Sequence, residues 1–337
     1  MRRTACLGLF LTLFAALAAP GFAQEIKDPA EYKAYFEGVY SEKDLAKKAA
    51  NGEKFLNDYK ETVARNQTYM MILLSYAQIP NWPKALETAD KQAQMAPKLE
   101  PNDKKQTLLV GMTAAEQAKN TPKLKEYANK VLESDPKNIG ALITLSGLLA
   151  NSLPTEEAAK NKQLEETLAI TKRALAEPKP ASATDAQWNP ILVQLHDTVA
   201  MVYLNQKKYA ETVTASDDAL KLNKKDGYAY YLKGLAMKPA VKEAIDKYTA
   251  AVEKMNLEEN RKADQLVRDE LQANAQGLLS AATTKKDDLA QIFAKSVATG
   301  WANAAAARTE LKQVFTGTPA EMDKLIDDMK VEINKVP

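Results

Sequence analysis

The sequence predicts an all-α protein, an α-α superhelix built as a solenoid of antiparallel helix pairs. Three observations predict it. Ala, Leu, Lys and Glu dominate the composition and Gly is scarce, at 12 of 337 residues; these dominant side chains lose little freedom in a helix. No sustained period-two run of β-branched residues marks a strand. Paired helical patterns recur along the chain, and units of that kind stack into solenoids.

The first 23 residues read as a secretory signal peptide, to be set aside before the fold is considered. Met1-Arg2-Arg3-Thr4 is a short basic start, Cys6 to Ala19 is almost purely apolar, and Pro20-Gly21 breaks the run ahead of small residues and a cleavage point before Gln24. The run is shorter than the roughly 20 apolar residues a membrane helix needs. Cys6 precedes the apolar run, which does not fit a lipid-modified cysteine. The expectation is an exported chain, periplasmic or secreted. Loss of Cys6 leaves it without thiols or disulfides, so its core alone must hold it.

Charge excludes some partners. The chain has 46 basic and 44 acidic residues; Arg2 and Arg3 leave with the signal, giving 44 of each. That balance offers no electrostatic case for nucleic acid or an anionic membrane. No later stretch is long and apolar enough to make an integral membrane segment.

Two segments carry the repeat most clearly. The first runs Tyr69, Ile72, Leu73, Tyr76, a turn at Ile79-Pro80-Asn81-Trp82-Pro83, then Ala85, Ala89 and Pro97. The second runs Leu195, Val199, Ala200, Tyr203, a turn at Asn205-Gln206-Lys207-Lys208, then Tyr209, Thr212, Ser216 and Ala219. Apolar residues at i, i+3, i+4 and i+7 give the first helix one buried stripe. Small residues on the second helix allow close approach, and a following proline stops it.

With these motifs the chain resembles the tetratricopeptide-repeat family, and in particular exported bacterial members of it. Further segments agree. Leu108, Gly111, Met112 and Ala115 precede Leu124, Ala128, Val131 and Pro136; Leu142, Leu145 and Leu149 precede Leu164, Leu168 and Ala174-Leu175; Tyr230, Leu232, Gly234 and Met237 precede Ala244, Tyr248 and Ala251. An earlier pair is expected at 29–62. The expected division is thus 1–23 signal, 24–256 repeats of about five to six helix pairs, and 257–337 a C-terminal helical cap. The small residues Ala85, Leu124, Thr167, Thr212 and Ala244 are unevenly spaced, which extended loops at Asn151–Lys162 and Pro178–Asn189 explain.

The resemblance implies that first helices line a concave groove. Residues off the buried stripe would face it: Met70, Leu74, Leu109, Thr113, Ile143, Asp197, Met201, Tyr231 and Leu235. The set is mainly apolar and lacks the Lys, Asn and Arg groups that clamp a C-terminal carboxylate in some members. It fits a protein or peptide partner with an apolar, helical segment.

From Leu257 the repeat pattern fades. Thr318-Pro319-Ala320-Glu321 reads as a helix start with a reciprocal cap, and Met322, Leu325, Ile326 and Met329 form an apolar stripe behind it. A cap on the last repeat is the expected role, since a solenoid must cover its apolar end.

Catalytic chemistry is hard to find. His196 is the chain's one histidine and sits in a repeat helix, where packing is the simpler role. There is no Gly-rich phosphate loop, and Asp217-Asp218, Asp287-Asp288 and Asp327-Asp328 lack calcium-loop spacing. The expectation is a non-enzymatic binding scaffold without cofactor or metal. Two alternatives stay open: a small-ligand or lipid carrier using the groove, and a glycan-processing envelope enzyme whose acids lie in the extended loops.

Overall fold

The computed structural model describes residues 26–95 and 99–335. The signal segment and Pro97 lie outside the described residues. Those described are mainly helical, with no strand among them, and they divide into two compact units, one up to Ser152 and one from Leu153 onward.

The first unit starts with a short helix, α1 (Pro29–Tyr35), capped by Asp28 Oδ1, which accepts from Ala30 N and Glu31 N. A π-helical turn, Phe36–Tyr40, leads to α2 (Leu45–Asp58). Then come α3 (Arg65–Gln78), α4 (Trp82–Ala93), α5 (Pro101–Gln117), α6 (Thr121–Ser134) and α7 (Ile139–Asn151). From α2 to α7 each helix packs on the next, and α3 also touches α5. Neighbour-plus-alternate packing of this kind is how a repeat array buries a continuous core.

The sequence builds these pairs in a definable way. Between α3 and α4 the N–H of Ile79 donates to Ser75 O at 3.1 Å and that of Asn81 to Tyr76 O at 2.8 Å. Between α5 and α6, Ala118 N donates to Ala114 O and Asn120 N to Ala115 O, both at 2.9 Å. These bonds satisfy carbonyls the helix end would otherwise leave open. Asn81 and Asn120 then cap the following helix through their side chains.

Carboxylates clasp successive pairs. Glu53 on α2 accepts from the Tyr76 hydroxyl at 2.9 Å and from Lys84 Nζ at 3.3 Å. Asp90 on α4 accepts from both Tyr127 OH and Lys123 Nζ of α6 at 2.9 Å. The fully buried Tyr127 ring lies against Gly111 of α5, where any Cβ would overlap it.

The second unit holds α8 (Glu157–Ala176), α9 (Asp185–Asn205), α10 (Tyr209–Leu222) and the long α11 (Gly227–Asn256). A four-residue α12 (Glu258–Arg261) leads to α13 (Gln265–Ala298), α14 (Ala304–Val314) and α15 (Pro319–Lys335). The α9–α10 turn repeats the construction of the first unit: Gln206 N donates to Val202 O at 3.0 Å and Lys208 N to Tyr203 O at 2.9 Å. α9 packs on α8, α10 and α11.

Several expectations need correction. The two extended loops are shorter than expected, because α8 begins within the first at Glu157 and α9 within the second at Asp185. Glu156 caps α8 by accepting from Ala158 N and Ala159 N, and Thr184 with Gln187 forms a reciprocal capping box that starts α9. α7 and α8, expected as one pair, fall in different units. Tyr230 to Ala251, expected as two helices, is one helix that runs through Pro239. The second helix of that pair is α13, whose Phe293 ring lies against Gly234 as Tyr127 lies against Gly111.

The C-terminal helices therefore dock on α11. Val241, Leu289, Phe293, Leu311, Met322 and Ile326 form one core, with Tyr231, Leu235, Leu325 and Met329 packed against it. The Thr318–Glu321 cap forms as expected: Glu321 Oε2 accepts from Thr318 N at 2.7 Å. Trp301 packs tilted beside Tyr228 and Tyr231, its ring centre 5.6 and 5.7 Å from theirs, and donates to Ser296 Oγ at 3.0 Å.

Candidate functional site

The expected groove residues do not share one environment. Met70 and Leu74 are 1% and 7% exposed. They belong to a run from Met70 to Tyr76 that is buried throughout, because α2, α4, α5 and the 36–40 turn all pack on α3. The expectation that they face a groove is corrected: α3 is a central helix with no free face there. Asp197, at 8% exposed, is likewise buried rather than open. Its charge raises the pKa of the nearby Tyr228 phenol, whose shift to about 12 comes first from burial.

Tyr231 and Leu235 are covered within the same chain, packed on the C-terminal core. Met201 packs against the core of Val199, Ala200, Ala215 and Leu232. Leu109, Thr113 and Ile143 remain half-buried, on the first helices α5 and α7 of the first unit. Thr113 Oγ1 donates to Leu109 O at 3.1 Å, so its hydroxyl is satisfied on its own helix. These three are what persists of the candidate binding surface, and all belong to one unit.

The first unit also has two shallow depressions. One, of about 230 Å³, lies among Ala93, Lys104, Leu108, Lys130, Glu133 and Ser134. The other, of about 160 Å³, adjoins it at Asp90, Lys123 and Glu126. Both fall below the roughly 300–1,000 Å³ of ordinary small-ligand pockets. Some of their charges pair with one another: Lys123 meets Asp90 and Glu126, and Lys130 meets Glu126 at 2.6 Å. The Lys130 and Lys123 bonds hold the Glu126 carboxyl below its usual range.

His196 is half-buried on α9, and burial pushes its imidazole below the ordinary value; Lys221 adds to this and Asp218 opposes it. Among the described residues no group of three or more His, Cys, Asp or Glu is placed to hold a metal ion. No described helix is long and apolar enough to cross a membrane.

No protein-family model matches the chain, and no curated protein matches it. Among the solved structures 24 chains match. One, titled MamA MSR-1 C2, is similar over 58% of this chain and 98% of its own, with 15% identity and a TM-score of 0.38. That likeness is loose, and the all-α architecture rests on the helix packing described above.

Proposed function

We propose that this chain is an exported, non-catalytic scaffold of tetratricopeptide-like helix pairs. It takes a protein or peptide segment on the first-helix side of its N-terminal unit, within a cell-envelope complex. One observation carries the reading. The first helices α3 and α5 touch each other as well as their own second helices, and α5 and α7 carry the half-buried Leu109, Thr113 and Ile143. Leu109 and Thr113 lie one turn apart on α5, a spacing that suits the apolar face of an amphipathic helix, a common way for grooves to take peptides.

A site-specific test avoids unfolding the array. A photo-cross-linking amino acid is placed at Leu109 or Thr113, and at exposed Lys125 on α6 as control. Irradiation in an envelope extract should join the first two variants to a defined protein and leave the third free. Equal adducts at all three positions, or none at Leu109 and Thr113, would sink the proposal. Export is tested separately by N-terminal sequencing of the chain recovered outside the cytoplasm, with Gln24 as the expected first residue.

A further inference from the structure

Leu109 and Thr113 share their face of α5 with Glu116, which follows Thr113 by three residues. Spacings of four and then three set the three side chains in one row along the helix. The row is charged at both ends. One turn before Leu109, Lys105 meets Asp135 at 3.6 Å. At the other end Glu116 has no such answer: among the described residues no ion pair and no side-chain hydrogen bond reaches it.

Glu116 is costly where it stands. It lies in the last turn of α5, where the helix dipole disfavours an acid, and no basic residue of that turn offsets it. Burial pushes its carboxyl above the ordinary value, and no charge of the chain pulls it back. Other carboxylates between the helices of this unit have a cation: Glu53 takes Lys84, Asp90 takes Lys123 and Glu126 takes Lys130. A dehydrated charge left without one is where a partner gains most by bringing the opposite sign.

Resting on the binding face proposed above, we infer that its occupant is a basic amphipathic helix. The apolar residues of that helix lie on Leu109 and Thr113, and a lysine or arginine one turn further along meets the Glu116 carboxylate. An acidic segment would set like charge on Glu116, and a neutral one would cover the carboxylate without pairing it; both are disfavoured. Because Lys105 is already paired, only one end of the face calls for charge. That fixes the end of the bound helix that carries its cation: the one over the C-terminus of α5.

Two labelled synthetic peptides test this by fluorescence anisotropy against the full chain. Both are amphipathic helices with the same leucine face; one flanks it with lysines, the other with glutamines. The parent should hold the lysine peptide about fivefold more tightly than the glutamine peptide. Glu116→Gln should abolish that preference by weakening the lysine peptide alone. Glu133→Gln, which removes an exposed acid from the last turn of α6 at the far end of the same helix pair, should preserve it. Equal binding of both peptides to the parent overturns the inference and leaves the binding face standing. A preference that survives Glu116→Gln, or that Glu133→Gln removes as fully, also overturns it. Failure of both peptides to bind the parent removes the binding face itself, and the basic occupant with it.

Discussion

Two glycines show how much a single hydrogen can decide. At Gly111 a methyl group would meet the Tyr127 ring, which Asp90 pins through its hydroxyl. Gly111→Ala should therefore destabilise the chain by about 1–3 kcal/mol through overpacking, despite alanine's better helix propensity. At Gly277, also within a helix, nothing lies within 4 Å of the added atom. Gly277→Ala should stabilise by about 1 kcal/mol. Denaturant titration of both variants checks the opposite signs. Lys119 and Lys207, at φ 55 and 59, hold the left-handed position of their helix–helix turns. Glycine there should add about 0.5–1 kcal/mol, since a side chain is strained at that φ. Titration belongs to this scale too. Burial raises the Tyr35, Tyr76 and Tyr228 phenols from 10.0 to about 12. Their contribution to stability is intact below pH 10 and is lost as pH rises toward 12. Phenolate absorbance and loss of helical signal should appear together in that window. His196 has the reverse sign. Its lowered value favours the neutral ring, so its contribution is present above pH 6.5 and lost as pH falls through the folded value. As the only histidine, it should give one NMR titration, with a midpoint below 6.5.

At the scale of elements, much was readable and some was not. The apolar and small positions Ala85, Thr167, Thr212 and Ala219 are all fully buried, as their spacing implied. Thr167 and Thr212 satisfy their hydroxyls on Gln163 O and Lys208 O, one turn back. Periodicity says which stripe of a helix is apolar, but not which helix will cover it. That is why the pattern alone places Met70 and Leu74, off the nominal stripe, on a groove although α3 is enclosed. It also hides α13 as the second helix of the last pair, because the far ends of α11 and α13 separate Phe293 from the segment it serves. Phe293 is fully buried against Gly234 and Tyr231. Phe293→Ala should cost about 3–5 kcal/mol. Limited proteolysis should then open the chain first near α14 and α15, which share that core.

Over the whole chain, the division after Ser152 is invisible to a pattern search, because α7 and α8 carry the same kind of apolar repeat on either side of it. The candidate site was legible only in part for the same reason: nine positions spread along one imagined groove belong to two units. Each unit has its own packed core, so local stability need not be shared between them. In the Phe293→Ala variant, hydrogen exchange should quicken in the helices of 153–335 while those of 26–152 keep their protection. Uniform loss of protection along both units would show a single cooperative block instead.

The long separation within the last pair also sets a folding order. Gly111 and Tyr127 are 16 residues apart in the chain, whereas Gly234 and Phe293 are 59 apart. Closing the longer loop costs roughly 1 kcal/mol more in chain entropy, and distant contacts form more slowly than local ones. The last pair should therefore close after the others. Until it does, the apolar side of α11 at Tyr231 and Leu235 stays open, and it is the place where a newly made chain is most exposed to wrong partners.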